Sequence, residues 1–183
     1  DNRFVISGGD DRSVRIWVSN SGALLHTFAG SRSEQPALSA NKDGSILLHS
    51  STPSRVAALH TATGSIINSF ALAAPAAAVA LSSDGRKAVV GTVNGEISLW
   101  DVHSGQKLFS SPAHKSRIRV VGFGDSDSIL FAGSTDKEIS LWDANNKVLV
   151  RRLKGLPEEP QAISLIERGS AIVAIDRGCT IKK

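Results

Sequence analysis

The sequence predicts an all-β fold built from repeated four-stranded units, and three observations carry that prediction. The first is a period. The octet Asp136–Asp143, Asp-Lys-Glu-Ile-Ser-Leu-Trp-Asp, reappears at Asn94–Asp101 and at Asp11–Val18, so the 3 tryptophans of the chain, Trp17, Trp100 and Trp142, share one repeated position. Degenerate copies fill the gaps, Pro53–His60 with Leu59 in the tryptophan slot and Asp176–Lys182, and the steps are 42 (17 to 59), 41 (59 to 100), 42 (100 to 142) and 40 (142 to 182). The second is alternation: Ile139 and Leu141 alternate with polar neighbours, the pattern of a half-buried strand. The third is turn chemistry in register. Gly22, Gly64, Gly105 and Lys147 each follow the slot by 5 residues, while Asp43-Gly44 and Ser83-Asp84-Gly85 supply the positive φ of tight hairpins. No apolar spacing of 3.6 residues competes with this reading.

Taken in order, Phe4 to Gly8 reads as a strand, Asp10-Asp11 as a turn, and Ser13 to Trp17 and Ala23 to Phe28 as two further strands. The second unit has strands near Ala37 to Ala40, Ile46 to Ser50, Arg55 to His60 and Ser65 to Phe70. Ala71 to Leu81 is the most apolar run, but it holds Pro75 and is about half of a membrane span. It reads as a loop feeding a buried strand, with no membrane insertion. The third unit runs from Ala76 to Ser111 and the fourth from Arg117 to Leu153. Gly155 to Pro160 is a breaker-rich connector, and strands at Ala162 to Ile166 and Ala171 to Ile175 precede a last one that Lys183 interrupts. Eleven residues after each slot, Phe28, Phe70, Ser111 or Leu153 marks the end of a fourth strand.

A repeat of roughly 40 to 45 residues whose units end in Trp-Asp resembles the WD40 family of β-propellers, and the resemblance runs the length of the chain. It implies a propeller arc of three complete four-stranded blades between two incomplete ones. The boundaries are a partial blade 1 at 1–30, blade 2 at 31–72, blade 3 at 73–113, blade 4 at 114–155 and a partial blade 5 at 156–183. Strands number three, four, four, four and three, so the chain reads as an excised arc of a larger ring. Seven blades are the form common in the family, and a smaller ring completed elsewhere is the alternative. The opening Asp1-Asn2-Arg3, without an initiator methionine or a signal pattern, fits an excised segment.

The resemblance also implies a structural network in which a turn acid orients a histidine beside a strand hydroxyl and the tryptophan. Blade 4 matches with His114, Asp136 and Trp142, with Ala132 in the hydroxyl position. Blade 1 matches with Ser7, Asp11 and Trp17, and blade 3 retains Trp100, with Asn94 and Val90 in the other positions. Blade 2 lacks both ring and acid, so Leu47, Val56, Ala58, Leu59, Ile67 and Phe70 must hold it, and it is expected to be the most weakly ordered complete blade.

Composition bounds the function classes. Hydrophobic residues make 41% and charged residues 21% of the chain, as in soluble globular proteins. The net charge of +4, from 21 basic and 17 acidic residues, is a mild bias toward acidic partners. One cysteine, Cys179, excludes an internal disulfide, and its register predicts a small core side chain. Neither the cysteine nor His26, His49, His60 and His103 has zinc-ligand spacing, and no catalytic or nucleotide-binding motif is present. No catalytic residue, metal or cofactor is therefore expected. Glu158-Glu159 reads as solvated turn charge.

Basic residues recur where turns and connectors share one propeller face: Arg12, Arg55, Lys137 and Arg177 in turns, Arg32, Lys115, Arg117 and Lys154 in connectors. These form the candidate partner-binding rim, suited to an acidic peptide or to phosphate. The expected function is a non-catalytic protein–protein interaction scaffold in an intracellular assembly, cytoplasmic or nuclear. A ribonucleoprotein or ribosome-biogenesis subunit contacting RNA is the alternative, weakened because aromatics are 5% of the chain and tyrosine is absent, leaving little for base stacking.

Overall fold

The computed structural model describes residues 3–29, 37–124, 126–166, 171–176 and 181–182, and in them the chain is all β, without a helix. Successive sheets stack in an open arc. Blade 1 is β1 (Phe4–Gly8), β2 (Ser13–Val18) and β3 (Leu24–Ala29); blade 2 is β4 (Leu38–Ala40), β5 (Ile46–Thr52), β6 (Arg55–His60) and β7 (Ile66–Ala71). Blade 3 is β8 (Ala76–Leu81), β9 (Lys87–Thr92), β10 (Glu96–Asp101) and β11 (Lys107–Pro112). Blade 4 is β12 (Ile118–Phe123), β13 (Ile129–Ser134), β14 (Ile139–Asp143) and β15 (Val148–Leu153). Blade 5 contributes β16 (Pro160–Ile166), β17 (Ala171–Asp176) and β18 (Ile181–Lys182). Every pairing is an antiparallel meander of sequence neighbours.

Of the strands carrying the tryptophan repeat, β2 alternates as expected, but β10 and β14 are not half-buried. Ile97, Ser98, Leu99 and Trp100 are all buried, as are Ile139, Ser140, Leu141 and Trp142. Their polar positions are covered because a neighbouring blade packs on each face, so alternation here separates two interfaces rather than core from solvent. The apolar clusters follow those interfaces. Leu48, Val56, Ala58 and Phe70 of blade 2 join Val90 and Trp100 of blade 3, while Leu47 and Leu59 face Val14 and Ile16 of blade 1. Leu130, Ala132 and Trp142 of blade 4 meet Val89, Ile97 and Leu99 of blade 3. The inner strands β4, β8, β12 and β16 line up beside one another. Gly91 in β9 permits the approach of β12, since a Cβ there would strike the Ile118 side chain.

The hairpins have the predicted geometry. Gly22, Gly64 and Gly105 have φ of 66°, 69° and 71°, and Lys147 adopts 62° in the same place. The sequence did not reveal a β-bulge in each outer strand beside the tryptophan slot. The ladder skips Leu25, Ile67, Leu108 and Val150, an apolar residue in all four complete outer strands.

Polar ties join each blade to the next. The His26 Nε2 lies 3.0 Å from the Ala62 carbonyl, and the Asn68 amide donates to the His103 carbonyl at 3.0 Å. Lys87 donates to Asn145 at 3.0 Å, the Lys42 N–H to the Ser83 carbonyl at 3.2 Å, and the Ser83 N–H to Asp127 at 2.9 Å.

Candidate functional site

The polar network expected of the repeat takes a different form in each blade. In blade 4, His114 is buried at the end of the connector leading into β12, and its Nδ1 lies 3.0 Å from both Asp136 oxygens. An ionised carboxylate only accepts, so Nδ1 carries the proton. The other ring nitrogen lies 2.8 Å from the Ser140 hydroxyl. Asp136 also accepts from the Lys115 and Glu138 N–H groups at 3.1 Å, tying the connector to the turn. Burial pushes the Asp136 carboxyl up, but the His114 charge and these hydrogen bonds outweigh it and hold the carboxyl below its ordinary value.

The strand hydroxyl therefore comes from Ser140 on β14, directly across the ladder from Ala132. Because Ser140 serves His114, the buried Trp142 Nε1 has no hydrogen-bond partner. In blade 3 the equivalent serine, Ser98, receives the Trp100 N–H at 2.8 Å. Trp100 is thus partnered by a residue that sequence reasoning missed. The signal was present, since both serines stand 2 residues before their tryptophan. In blade 1 the Trp17 N–H reaches Ser7 at 3.1 Å on the facing strand. Asp11 does not join that pair. It accepts from Arg15 at 2.6 Å and from Ser13 at 2.8 Å, and those bonds, Arg15 first, lower its pKa to about 2.

Blade 2 substitutes aromatic contacts across its interfaces. Phe70 stacks on Trp100 at 5.2 Å, and His49 lies 5.8 Å from Phe28 of blade 1. His49 is buried, its Nδ1 lacks a hydrogen-bond partner, and desolvation lowers its pKa, so it is a neutral core ring.

The rim residues diverge. Arg12 is exposed, with φ 63° at the second turn position, where Lys137 has 64° and blade 3 has Gly95 at 83°. Arg55 donates to Ser69 at 3.0 Å. Lys137 donates to the Pro157 carbonyl at 2.8 Å and lies 3.7 Å from Glu158, while Lys154 lies 3.5 Å from Glu138. Lys115 is exposed and Arg117 is half-buried. Arg32, Arg177 and Cys179 lie outside the described residues. Glu158 and Glu159 are not merely solvated, because Lys137 and Arg119 stand 3.7 Å from them. Part of the rim's charge is thus neutralised within the blade 4 connector.

His114, Asp136 and Glu138 bring potential metal-binding atoms within 4.8 Å of one another. Their chemistry opposes a cation: Glu138 pairs with Arg152 at 3.3 Å and with Lys154, and Asp136 is occupied by His114.

Comparison with known proteins supplies the remaining evidence. The family described as WD domain, G-beta repeat matches residues 1–18 and 105–143. Human angio-associated migratory cell protein is 23% identical over 94% of this chain and 44% of its own length. Autophagy-related protein 16 of Arabidopsis thaliana is 24% identical over 94% of the chain and 34% of its own length. A U3 snoRNP-associated protein-like protein of the same plant is 27% identical over 57% of the chain and 22% of its own length. The chain thus spans less than half of each of these relatives.

Proposed function

The chain belongs to the WD40-repeat family, and on that premise we propose that it acts as a non-catalytic interaction scaffold within an intracellular multiprotein assembly. One observation supports this reading above others. The titratable cluster of blade 4, His114, Asp136 and Glu138, is saturated by contacts that hold the blade, whereas Arg12 and Lys115 on the turns and connectors remain exposed. Saturated groups fix structure and exposed ones are available to a partner. An acidic peptide complements this rim.

A ribonucleoprotein role is the second reading, favoured by the U3 snoRNP-associated relative. Neutralisation of Lys137 and Lys154 by Glu158 and Glu138 weakens it, since phosphate contacts need uncompensated cations. Purification of the full-length protein with and without ribonuclease, beside Arg12→Glu and Lys115→Glu variants, separates the two. Proteins retained after ribonuclease and lost in the variants support the scaffold. RNA binding that falls steeply with salt, with no nuclease-resistant protein partner, overturns it.

A further inference from the structure

Blade 3 keeps the turn of the repeat but changes its chemistry. Asn94 stands where Asp11 and Asp136 stand, and Gly95 where Arg12 and Lys137 stand. The surroundings of Gly95 demand a glycine. Its φ is 83°, and a Cβ there would strike the His114 carbonyl oxygen in the connector between blades 3 and 4. No other asparagine in the chain precedes a glycine. The turn lies within the arc, with a complete four-stranded blade on either side.

The equivalent side chains of blades 3 and 4 are held very differently. Asp136 is fixed by His114 and by the Lys115 and Glu138 N–H groups. Asn94 is exposed, and its carboxamide has no hydrogen-bond partner among the described residues. The Gly95 N–H donates to the Thr92 carbonyl at 3.3 Å, just beyond the usual range, against 3.1 Å for Lys137 and 2.9 Å for Arg12 in the equivalent turns. A carboxamide free to rotate thus stands beside a main-chain nitrogen that is weakly bound and unshielded by a side chain.

We propose that Asn94 is a site of spontaneous deamidation, and that its isoaspartate product loosens the joint between blades 3 and 4. The Gly95 nitrogen attacks the Asn94 side-chain carbonyl carbon and forms a C–N bond. The Cγ–Nδ2 bond breaks, and ammonia leaves with the proton that the Gly95 nitrogen gives up. Water then opens the resulting cyclic imide at either carbonyl, so that amide plus water becomes acid plus ammonia with no change of oxidation state. Opening at the side-chain carbon leaves an ordinary aspartate. Opening at the main-chain carbon leaves an isoaspartate, in which the chain runs through Cγ and is longer by one carbon. The Gly95 carbonyl accepts from the His114 N–H at 2.9 Å, and Gly95 lies against the His114 and Ser116 carbonyls. An extra carbon beside Gly95 displaces its carbonyl from His114, whereas the ordinary aspartate leaves it in place. The proposal does not depend on the scaffold reading.

The test ages the full-length protein in mildly alkaline buffer, which favours loss of the Gly95 N–H proton, and follows each asparagine by peptide mass spectrometry. Conversion at Asn94 should outpace that at Asn20 and Asn145, which are exposed but precede Ser21 and Asn146. Asn94→Ser should abolish the new species. In the isoaspartate fraction, separated by ion exchange, the His114 amide should exchange faster than in unaged protein. Asn94→Asp carries the new charge on an ordinary chain and should match the unaged protein. Conversion at Asn94 no faster than at Asn20 or Asn145 would overturn the site. Unchanged His114 protection in the isoaspartate form, or equal loosening in Asn94→Asp, would overturn its effect on the joint.

Discussion

Blade 4 closes around a histidine, a carboxylate and a hydroxyl, whereas blade 2 places Leu59 where the tryptophan stands and Pro53-Ser54 where the acid stands. The two nevertheless share a ladder. β5 pairs with β6 as β13 pairs with β14, and both outer strands bulge beside the slot. Backbone shape is therefore set by what the blades have in common: strand alternation, the positive-φ turn at Gly64 or Lys147, and an apolar bulge residue. The polar network adds directional constraint to a frame that forms without it.

The sharpest way to break this comparison is Trp142→Ala. The ring is 6% exposed, and removing it should cost roughly 3 to 5 kcal/mol in denaturant unfolding. A loss below about 1 kcal/mol would show that blade 4 relies on its slot no more than on a surface residue. Next come the two serines. Ser98→Ala orphans the Trp100 N–H and Ser140→Ala orphans a His114 nitrogen, each expected to cost about 1 to 3 kcal/mol. Ala57, which occupies that position in blade 2, should tolerate serine with no comparable gain. Smaller, and of opposite sign, is Ala132→Ser. A hydroxyl there occupies the place from which Ser7 receives Trp17, and satisfying the orphaned Trp142 N–H should stabilise by about 1 kcal/mol. An unchanged midpoint would mean that the new hydroxyl does not reach the indole.

Hydrogen exchange ranks the blades directly. Amides of Val56 to Leu59 should open before those of Ile97 to Trp100 and Ile139 to Trp142, and equal protection would show that the Phe70–Trp100 stack compensates fully for the missing network. The subtlest test is acid. A carboxyl held below its ordinary value contributes stability that is fully present above about pH 4 and is lost as pH falls through its folded value. Asp136→Asn should therefore flatten the stability profile below about pH 4. A parallel slope in wild type and variant would place the acid sensitivity elsewhere.

The arc was legible because its evidence is periodic. A slot recurring at steps of 42, 41 and 42 residues fixes strand order even where Leu59 occupies it, and each positive-φ turn recurs with it; the last step of 40 does not hold, because Lys182 pairs with Ala174 as Ser140 pairs with Ala132, two residues before the slot. Burial was less legible: Ser98 and Ser140 look solvent-facing when a strand is read alone, and become buried only when a second blade packs on that face. The same limit hid the pairing of Glu158 with Lys137, a contact between the Asp136–Lys137 turn and the connector 20 residues on. Asp11 shows it again, since a turn acid in the right register found Arg15 as its partner. Period reveals which positions are equivalent, while the chemistry each performs depends on neighbours in other blades.

The blade-to-blade ties make the arc a one-dimensional chain of coupled units. Asn68 of blade 2 anchors on His103 of blade 3, and Ser83 of blade 3 grips both the blade 2 turn at Lys42 and Asp127 of blade 4. Stability in such a chain is a sum of unit and nearest-neighbour contributions, so damage spreads outward from its origin and fades with distance. A lesion at Ser83 should loosen both adjoining blades before it is felt at Trp17. Blades 2 and 3, each gripped from both sides, are the positions from which the arc transmits strain in either direction.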